Sequence, residues 1–243
     1  MTTKSVRTHE ISGDAKKKLR SVSTATLTSQ LQNHGFRNTF LAGLYPLRPD
    51  VPMVGYAFTL RYIPARVDLA DERYDNTRNV QRLAVEAVGP EDVLVIDARG
   101  DVSAASLGHI LGTRITQRGA AGFVTDGALR DTPGFRELEL PTYIRAPHAT
   151  TSFVAHHPVD MQVPIGCAGV AVTPGDVVVG DAEGVVIIPA HLAEEVAHRA
   201  YEQEIREEFF QEKVAGGASI IGVYPPNDET LAAYEEWRRA RGD

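Results

Sequence analysis

Residues 92–131 read DVLVIDARGDVSAASLGHILGTRITQRGAAGFVTDGALRD, and the way apolar runs alternate with polar closures in this stretch decides the fold class. "DVLVID" is a continuous apolar run bounded by acids, the pattern of a strand covered on both faces. "SAASLGHILGTRITQRG" sets Leu107, Ile110, Leu111 and Ile115 on one helical face and stops at Gly119, which suits a helix C-terminus. "AGFVTD" is a second short apolar run. Strand, helix and strand in this order predict a βαβ unit with parallel strands, and hence an α/β fold. Loops that carry chemistry in such sheets lie beyond the carboxyl ends of the strands, so "DARGD" and "DGALRD" are expected to meet.

Working outward, "SVSTATLTSQLQNHG" opens with capping residues, carries Leu27 and Leu31 four apart, and ends at Gly35, a short helix with a glycine cap. The preceding "DAKKKLR" reads as a solvated charged face. "MVGYAFTLRYIPA" predicts a strand that stops at Pro64, and "RNVQRLAVEAV" repeats apolar residues at helical spacing from Val80 to Val88. Beyond the central stretch, "LPTYIRA", "VPIGCAGVAV", "DVVVGD" and "GVVIIP" are short β-type runs, the last two joined by an Asp-Ala-Glu-Gly hairpin turn. A long amphipathic helix over residues 191–214 and a further helix over 229–242 close the chain. No repeat, low-complexity linker or composition break divides it. The expectation is one domain over 1–243, with a core at about 23–190 and helical extensions at both ends.

The composition narrows the function classes. The 243 residues are 43% hydrophobic, 23% charged and carry a formal net charge of −7, which leaves no basic footprint for nucleic acid and no polybasic membrane patch. The single cysteine, Cys167, rules out an intrachain disulfide and a clustered thiolate metal site. "MTTKSVRTHEISGDAKKKLR" lacks the apolar core of a signal peptide, and no apolar run reaches the ~18 residues of a membrane span. The expected setting is cytoplasmic, with no nucleic acid or membrane as direct partner.

A candidate site follows from the spacing. Gly108 and Arg130 lie 22 residues apart, a distance filled by a helix and a strand, which returns both to one edge of the sheet. With Ser106 as a plausible N-cap, the backbone N–H groups of Gly108, His109 and Ile110 would face an anion. Arg130 adds a planar charged fork suited to a carboxylate, and Asp131 a hard oxygen for a cation such as Mg²⁺. The competing reading is ordinary: an Asp-Gly turn, an Arg-Asp surface pair worth ~0–1 kcal/mol, and a glycine that only relieves helix packing. Elsewhere, His156 and His157 before a proline read as a solvated loop, Asp176, Asp181 and Glu183 as turn acids, and Cys167 as a small core residue. Nucleophile-elbow, Walker, dinucleotide-binding and zincin motifs are absent from the sequence.

"GHILGTRITQRGAAGFVTDGALRD", with "STATLTSQL", "VGYAFTLR", "VLVIDARGD" and "PGDVVVGDAEGVVIIP" around it, resembles the RraA-like family over about residues 23–189. That family includes 4-hydroxy-4-methyl-2-oxoglutarate/4-carboxy-4-hydroxy-2-oxoadipate aldolases and regulators of ribonuclease E activity. The resemblance implies a swivelling β/β/α-type domain assembled as homotrimers or homohexamers, with sites at subunit interfaces. For the aldolase members it implies that Asp131 binds Mg²⁺ or Mn²⁺, largely through water. It further implies that Arg130 contacts the oxo and carboxylate oxygens of a small 2-oxo acid, and that amides of Gly108, His109, Ile110 and Leu111 hold the pyruvyl carboxylate. The activity implied is a metal-dependent carbon–carbon lyase, by retro-aldol cleavage to pyruvate or by oxaloacetate decarboxylation.

Two positions depart from the family pattern. The usual acid after the glycine is His109, and the acid expected three residues after the Arg-Asp pair is Gly134. Fewer carboxylates weaken an outer-sphere cation site. His109 is also a candidate acid or base for dehydration of a 2-oxo-3-deoxy sugar acid on the same scaffold. A non-catalytic ribonuclease-binding regulator is the alternative from a different class. Glu204, Glu207 and Glu208 are candidates for an acid supplied across an interface, against the plainer reading of a solvated helix face.

Overall fold

The computed structural model describes residues 6–7, 9–68 and 75–242; residues 1–5, where the N-terminal stretch read above begins, lie outside it with residues 8, 69–74 and 243. The elements are α1 (Gly13–Ser21), α2 (Thr24–Asn33), β1 (Tyr45–Pro46), β2 (Met53–Pro64), α3 (Val80–Ala87), β3 (Asp92–Asp97), β4 (Ala105–Leu107), α4 (His109–Gln117), β5 (Gly122–Thr125) and β6 (Ala128–Leu129). They continue with α5 (Thr132–Arg136), β7 (Thr142–Ile144), β8 (Ala146–Pro147), β9 (His156–Met161), β10 (Ile165–Cys167), β11 (Val170–Val172), β12 (Val177–Gly180), β13 (Val185–Ile188), α6 (Ala193–Ala215) and α7 (Asp228–Arg241).

The main sheet runs β1-β7-β5-β3-β2-β12-β13, with β9 also on β2. The long strand β2 organises it by pairing parallel with β3 over Tyr56–Arg61 and antiparallel with β12 and β9 at its two ends. β3, β5 and β7 are parallel, as the βαβ reading requires. Each of them then feeds a very short strand of a second parallel sheet, β4-β6-β8. The chain therefore alternates between sheets, in the swivelling β/β/α arrangement: main strand, minor strand, helix, then back.

Alternation along the strands explains the unbroken apolar runs. In β3, Leu94 and Ile96 enter the core under α3, α4 and α5, while Val93 and Val95 enter a second core roofed by the β10/β11 hairpin. In β12 and β13, Val177, Val179, Val186 and Ile188 face α1, α2 and α6, and Val178, Val185 and Ile187 face the opposite side. With both faces covered, neither needs polar residues.

Several sequence expectations hold. α2 starts at Ser23, whose Oγ accepts the Thr26 N–H at 3.1 Å, and Gly35 takes a positive φ of 86° beyond the helix end. β2 ends at Pro64, Gly119 (φ 79°) follows α4, the Asp181–Gly184 turn joins β12 to β13, and helices α6 and α7 close the chain. Others are corrected. "DAKKKLR" is no mere solvated face, because α1 buries Ala15 and Leu19 against α6. The unit around α4 is shorter than its apolar spacing implied: Leu107 belongs to β4 and Ile110 is 84% exposed, so only Ile115 of the proposed helical face is buried within the helix. No helix among the described residues is long and apolar enough to cross a membrane.

The sheet also sets a steric limit at its edge. A Cβ on Gly180 of β12 would fall 2.7 Å from the ring of Tyr143, which is fully buried and donates its hydroxyl to the Asp181 carbonyl at 2.9 Å. The ring cannot step aside without losing that bond. We expect Gly180→Ala to lower stability by about 1–3 kcal/mol in urea unfolding, the usual cost of overpacking a rigid core site.

Candidate functional site

The two loops expected to meet do so, but not at the Arg-Asp pair. Asp126, at the end of β5, is 1% exposed and accepts the N–H groups of Ala98, Gly100 and Ala168 at 2.7, 2.9 and 3.1 Å. Burial holds its carboxyl above the usual range despite those donors. This carboxylate staples the "DARGD" turn to the β10/β11 hairpin, a structural task. Arg130 and Asp131 lie further on, past the minor strand β6.

There the minor sheet does the positioning. β4 and β6 pair in parallel, closed by the Arg130 N–H donating to the Leu107 carbonyl at 3.2 Å. Ser106 is the anchor rather than the helix cap that the spacing suggested. It is fully buried, donates from Oγ to the Ala128 carbonyl at 2.8 Å, and sits 3.1 Å from Thr125 Oγ1. Its carbonyl accepts from Tyr62 Oη at 3.0 Å and Gln81 Nε2 at 2.8 Å. The N-cap of α4 is Gly108, which has no side chain to cap with.

α4 and α5 consequently start side by side. Asp131 occupies the N-cap position of α5 in the left-handed region (φ 59°) and makes no side-chain bond to its own helix. Instead its Oδ2 accepts the His109 N–H, the first amide of α4, at 3.2 Å. The same oxygen lies 3.3 Å from Arg130 Nε. Gly108 is extended, so its lack of a side chain answers a contact: a Cβ there would lie 3.2 Å from Arg130 Cγ, Arg130 Cδ and Asp131 Oδ2. Arg130 lies across the helix start.

Gly108, His109, Ile110, Leu111, Arg130 and Asp131 all line one open cleft of about 210 Å³. The rest of its wall was not singled out in the sequence: Gln81 and Arg82 of α3, and Thr151, Ser152 and Phe153 at a single 3₁₀ turn. Gln81 carried one legible signal. It stands on the same helical face as Ala84, Val85 and Val88, a polar residue on an apolar stripe, and it is 3% exposed.

His109 and Gly134 turn out to be one feature. The imidazole lies over the first turn of α5, where a Cβ on Gly134 would fall 2.9 Å from its Cγ and Cδ2, and it meets Phe135 edge-on at 6.0 Å between ring centroids. Gly112 similarly admits Phe135, whose Cε1 would be 2.4 Å from an added Cβ. Among the described residues, Asp131 is the one carboxylate lining the cleft, and no group of three or more His, Cys, Asp or Glu side chains converges on a metal-sized point.

The remaining candidates are structural. His156 is buried, not solvated: its Nε2 is 3.1 Å from the Ala104 carbonyl, and burial lowers its pKa so that the neutral ring is favoured. Cys167 is fully buried, with its thiol pushed up by burial, which makes it inert. Asp176 accepts the Thr173 N–H, and Asp181 those of Thr24, Glu183 and Gly184. Glu204 accepts from Ser23 N and Oγ, Glu207 from Gln203, and Glu208 pairs with Arg241, so all three are engaged within the chain.

The packing of His109 on Gly134 gives a direct check. We expect Gly134→Ala to displace the imidazole, seen as loss of the ring-to-ring nuclear Overhauser contact between His109 and Phe135, with the thermal unfolding profile still cooperative. An unchanged contact would mean that the ring is not seated as described.

Comparison with known proteins identifies the family and the fold. The RraA-like profile (Aldolase/RraA) matches residues 24–187. A 4-hydroxy-4-methyl-2-oxoglutarate aldolase of Thermus thermophilus is 34% identical over 155 residues, 63% of this chain and 92% of the relative. A Halalkalibacterium halodurans protein provisionally named for the same aldolase is 35% identical over 144 residues, 58% of this chain and 67% of its own length. Among solved structures, Streptomyces coelicolor RraAS2, described as an unusual member of the RNase ES inhibitor RraA family, superposes with a TM-score of 0.74 at 32% identity, covering 83% of this chain and 98% of that one. By the extent of the profile match and by its fold, this chain belongs to the RraA-like family.

Proposed function

We propose that the protein is a lyase acting on a small 2-oxo acid, cleaving a 4-hydroxy-2-oxo acid by a retro-aldol step to pyruvate and decarboxylating oxaloacetate through the same enolate. The observation that carries this reading is the seating of Arg130 and Asp131 across the start of α4, in a cleft that Gly108 keeps open. An exposed Arg-Asp pair adds only about 0–1 kcal/mol to stability, so the ion pair by itself gives little reason for the arrangement. A role for Arg130 in recognising an anion fits it.

In this reading the substrate carboxylate docks at the start of α4, around Gly108 to Leu111, where the helix dipole favours negative charge; the His109 N–H is shared with Asp131 Oδ2 and the Leu111 N–H donates to the Gly108 carbonyl, so the docking relies on the other amides of that turn. The base, His109, takes the proton of the 4-hydroxyl. The C3–C4 electron pair moves to C3 as the C4–oxygen double bond forms, and the negative charge of the pyruvate enolate settles on the C2 oxygen, facing the Arg130 guanidinium. A proton delivered to C3 completes pyruvate. With oxaloacetate, the C3–C4 bond breaks with release of carbon dioxide to give the same enolate.

The donor set fits a divalent cation only in part. Asp131 offers one hard oxygen, consistent with Mg²⁺ or Mn²⁺ held by a single carboxylate and completed by substrate oxygens and water. Bound there, the ion would polarise the 2-oxo group. Assembly as a homotrimer or homohexamer belongs to the same reading, supported by the exposed Ile110 at the cleft rim, an apolar side chain for a neighbouring copy to cover.

Two observations favour other readings. The imidazole at 109 in place of an acid suits dehydration of a 2-oxo-3-deoxy sugar acid, and the similarity to RraAS2 suits a regulator that binds a ribonuclease. A coupled assay separates them. We expect pyruvate release from 4-hydroxy-2-oxo acids or oxaloacetate, stimulated by Mg²⁺ or Mn²⁺ and abolished by a chelator. Arg130→Ala should cost about 10²–10³ in kcat, the range for removing one preorganised donor, with a comparable loss for Asp131→Ala. Folded, oligomeric protein with no turnover on a 2-oxo acid panel under any divalent metal would sink the lyase reading. A stoichiometric ribonuclease complex indifferent to Arg130→Ala would put the regulator in its place.

A further inference from the structure

Over residues 145–164 a single residue is buried, His156, at 2% exposure. The same stretch supplies the cleft wall of Thr151, Ser152 and Phe153, whose 3₁₀ turn buries no side chain of its own. The wall is therefore held at its two ends. At one end the Ala105 N–H of β4 donates to the Thr150 carbonyl at 3.0 Å. At the other, the Ala155 carbonyl accepts the Ala65 N–H at 3.0 Å, and His156 Nε2 lies 3.1 Å from the Ala104 carbonyl. Ala104 immediately precedes β4, so the imidazole ties the end of the wall to the strand that positions α4.

That tie depends on the ring being neutral. A carbonyl only accepts, so the neutral ring carries its hydrogen on Nε2 and leaves Nδ1 as an acceptor. Nδ1 is buried without a hydrogen-bond partner among the described residues, and so is Arg99 Nη1. Protonation would place a second N–H where no acceptor meets it, which costs the full desolvation of that group. Burial holds the ring below the ordinary histidine range and Arg99 adds to this, while the Ala104 carbonyl, Asp101 and Asp126 oppose it. The other neighbours are already engaged. Tyr62 of β2 stacks at 5.6 Å between ring centroids, and Gln81 of α3 bonds its hydroxyl. Arg82 and Glu86 of α3 bond Gln81 and Arg114, and on β9 His157 adjoins the ring while Asp160 pairs with Arg61.

A histidine whose folded form gives up its proton more readily than the unfolded chain stabilises its surroundings above the ordinary histidine range, and that stabilisation is lost as the pH falls below it. We propose that His156 is a proton-operated pin on the cleft: neutral, it seats the 151–155 turn against β4 and completes the wall; protonated, it turns out to water and the wall detaches while the main sheet stays folded. The device acts on the cleft itself, whichever substrate the cleft takes.

Amide hydrogen exchange and histidine resonances of the full chain, followed by NMR between about pH 7.5 and about pH 5.5, test it. The Ala65 and Ala105 amides, which close the two ends of the wall, should lose protection about tenfold or more after correction for intrinsic exchange, in step with titration of the His156 ring. Amides of the β12–β2 pairing should keep theirs. His156→Gln, which retains a neutral N–H donor and cannot titrate, should remove the pH dependence of both wall amides. A ring that titrates in the ordinary histidine range or above, wall amides that stay protected through its titration, or the same acid loosening in His156→Gln each overturn the proposal. If thermal melts show that His156→Gln does not fold, the wild-type titration decides alone: loosening that tracks the ring supports the pin, and loosening at any other pH overturns it.

Discussion

The parallel pairing of two very short strands, β4 and β6, is the constraint on which the cleft depends. Neither is long enough to persist alone; together they contribute five residues. Ser106 compensates from inside, because its hydroxyl ties β4 to β6 while its carbonyl is gripped by Tyr62 and Gln81 from β2 and α3. Buried and fully engaged, such a network fixes geometry more firmly than a solvent-facing ladder could. What it fixes is the separation of two helix starts. Gly108 leaves β4 into α4, Asp131 leaves β6 into α5, and a single bond from the His109 amide to Asp131 joins them.

That junction explains why the acid sits in an unusual backbone conformation. A residue at the N-cap ordinarily bonds an amide of its own helix. Asp131 in the left-handed region turns its carboxylate to the neighbouring helix instead, leaving the first turn of α5 without a side-chain cap. Aspartate tolerates this conformation better than most residues, which makes the arrangement sustainable in a position where the side chain faces solvent.

Much of this was legible in the sequence, and the reasons for success and failure are specific. Strands β3, β12 and β13 declared themselves because both faces are covered and every position could be apolar. The six residues expected around the cleft converge there because a glycine and an Arg-Asp pair 22 positions apart report a returning chain. The minor sheet was not legible. β4 and β6 are too short to show a period, and Leu107 mimics a helical neighbour of Leu111, so the helix seemed to begin early and Ser106 seemed to cap it. Gln81, Arg82 and the 151–153 turn escaped because they come from segments whose approach is set by tertiary packing. His156 escaped because a His-His-Pro sequence looks the same whether an edge strand buries it or not.

The contact between His109 and Gly134 ties together two positions that lie 25 residues apart in the chain. Since any side chain at 134 would enter the space that the imidazole fills, an acid cannot be accommodated at 134 while the ring keeps its seat. A single replacement at 109, conversely, uncovers the turn at 134 without adding charge there. The residue allowed at one position thus depends on the residue at the other, so the first turn of α5 and the imidazole of α4 vary as a pair and not singly.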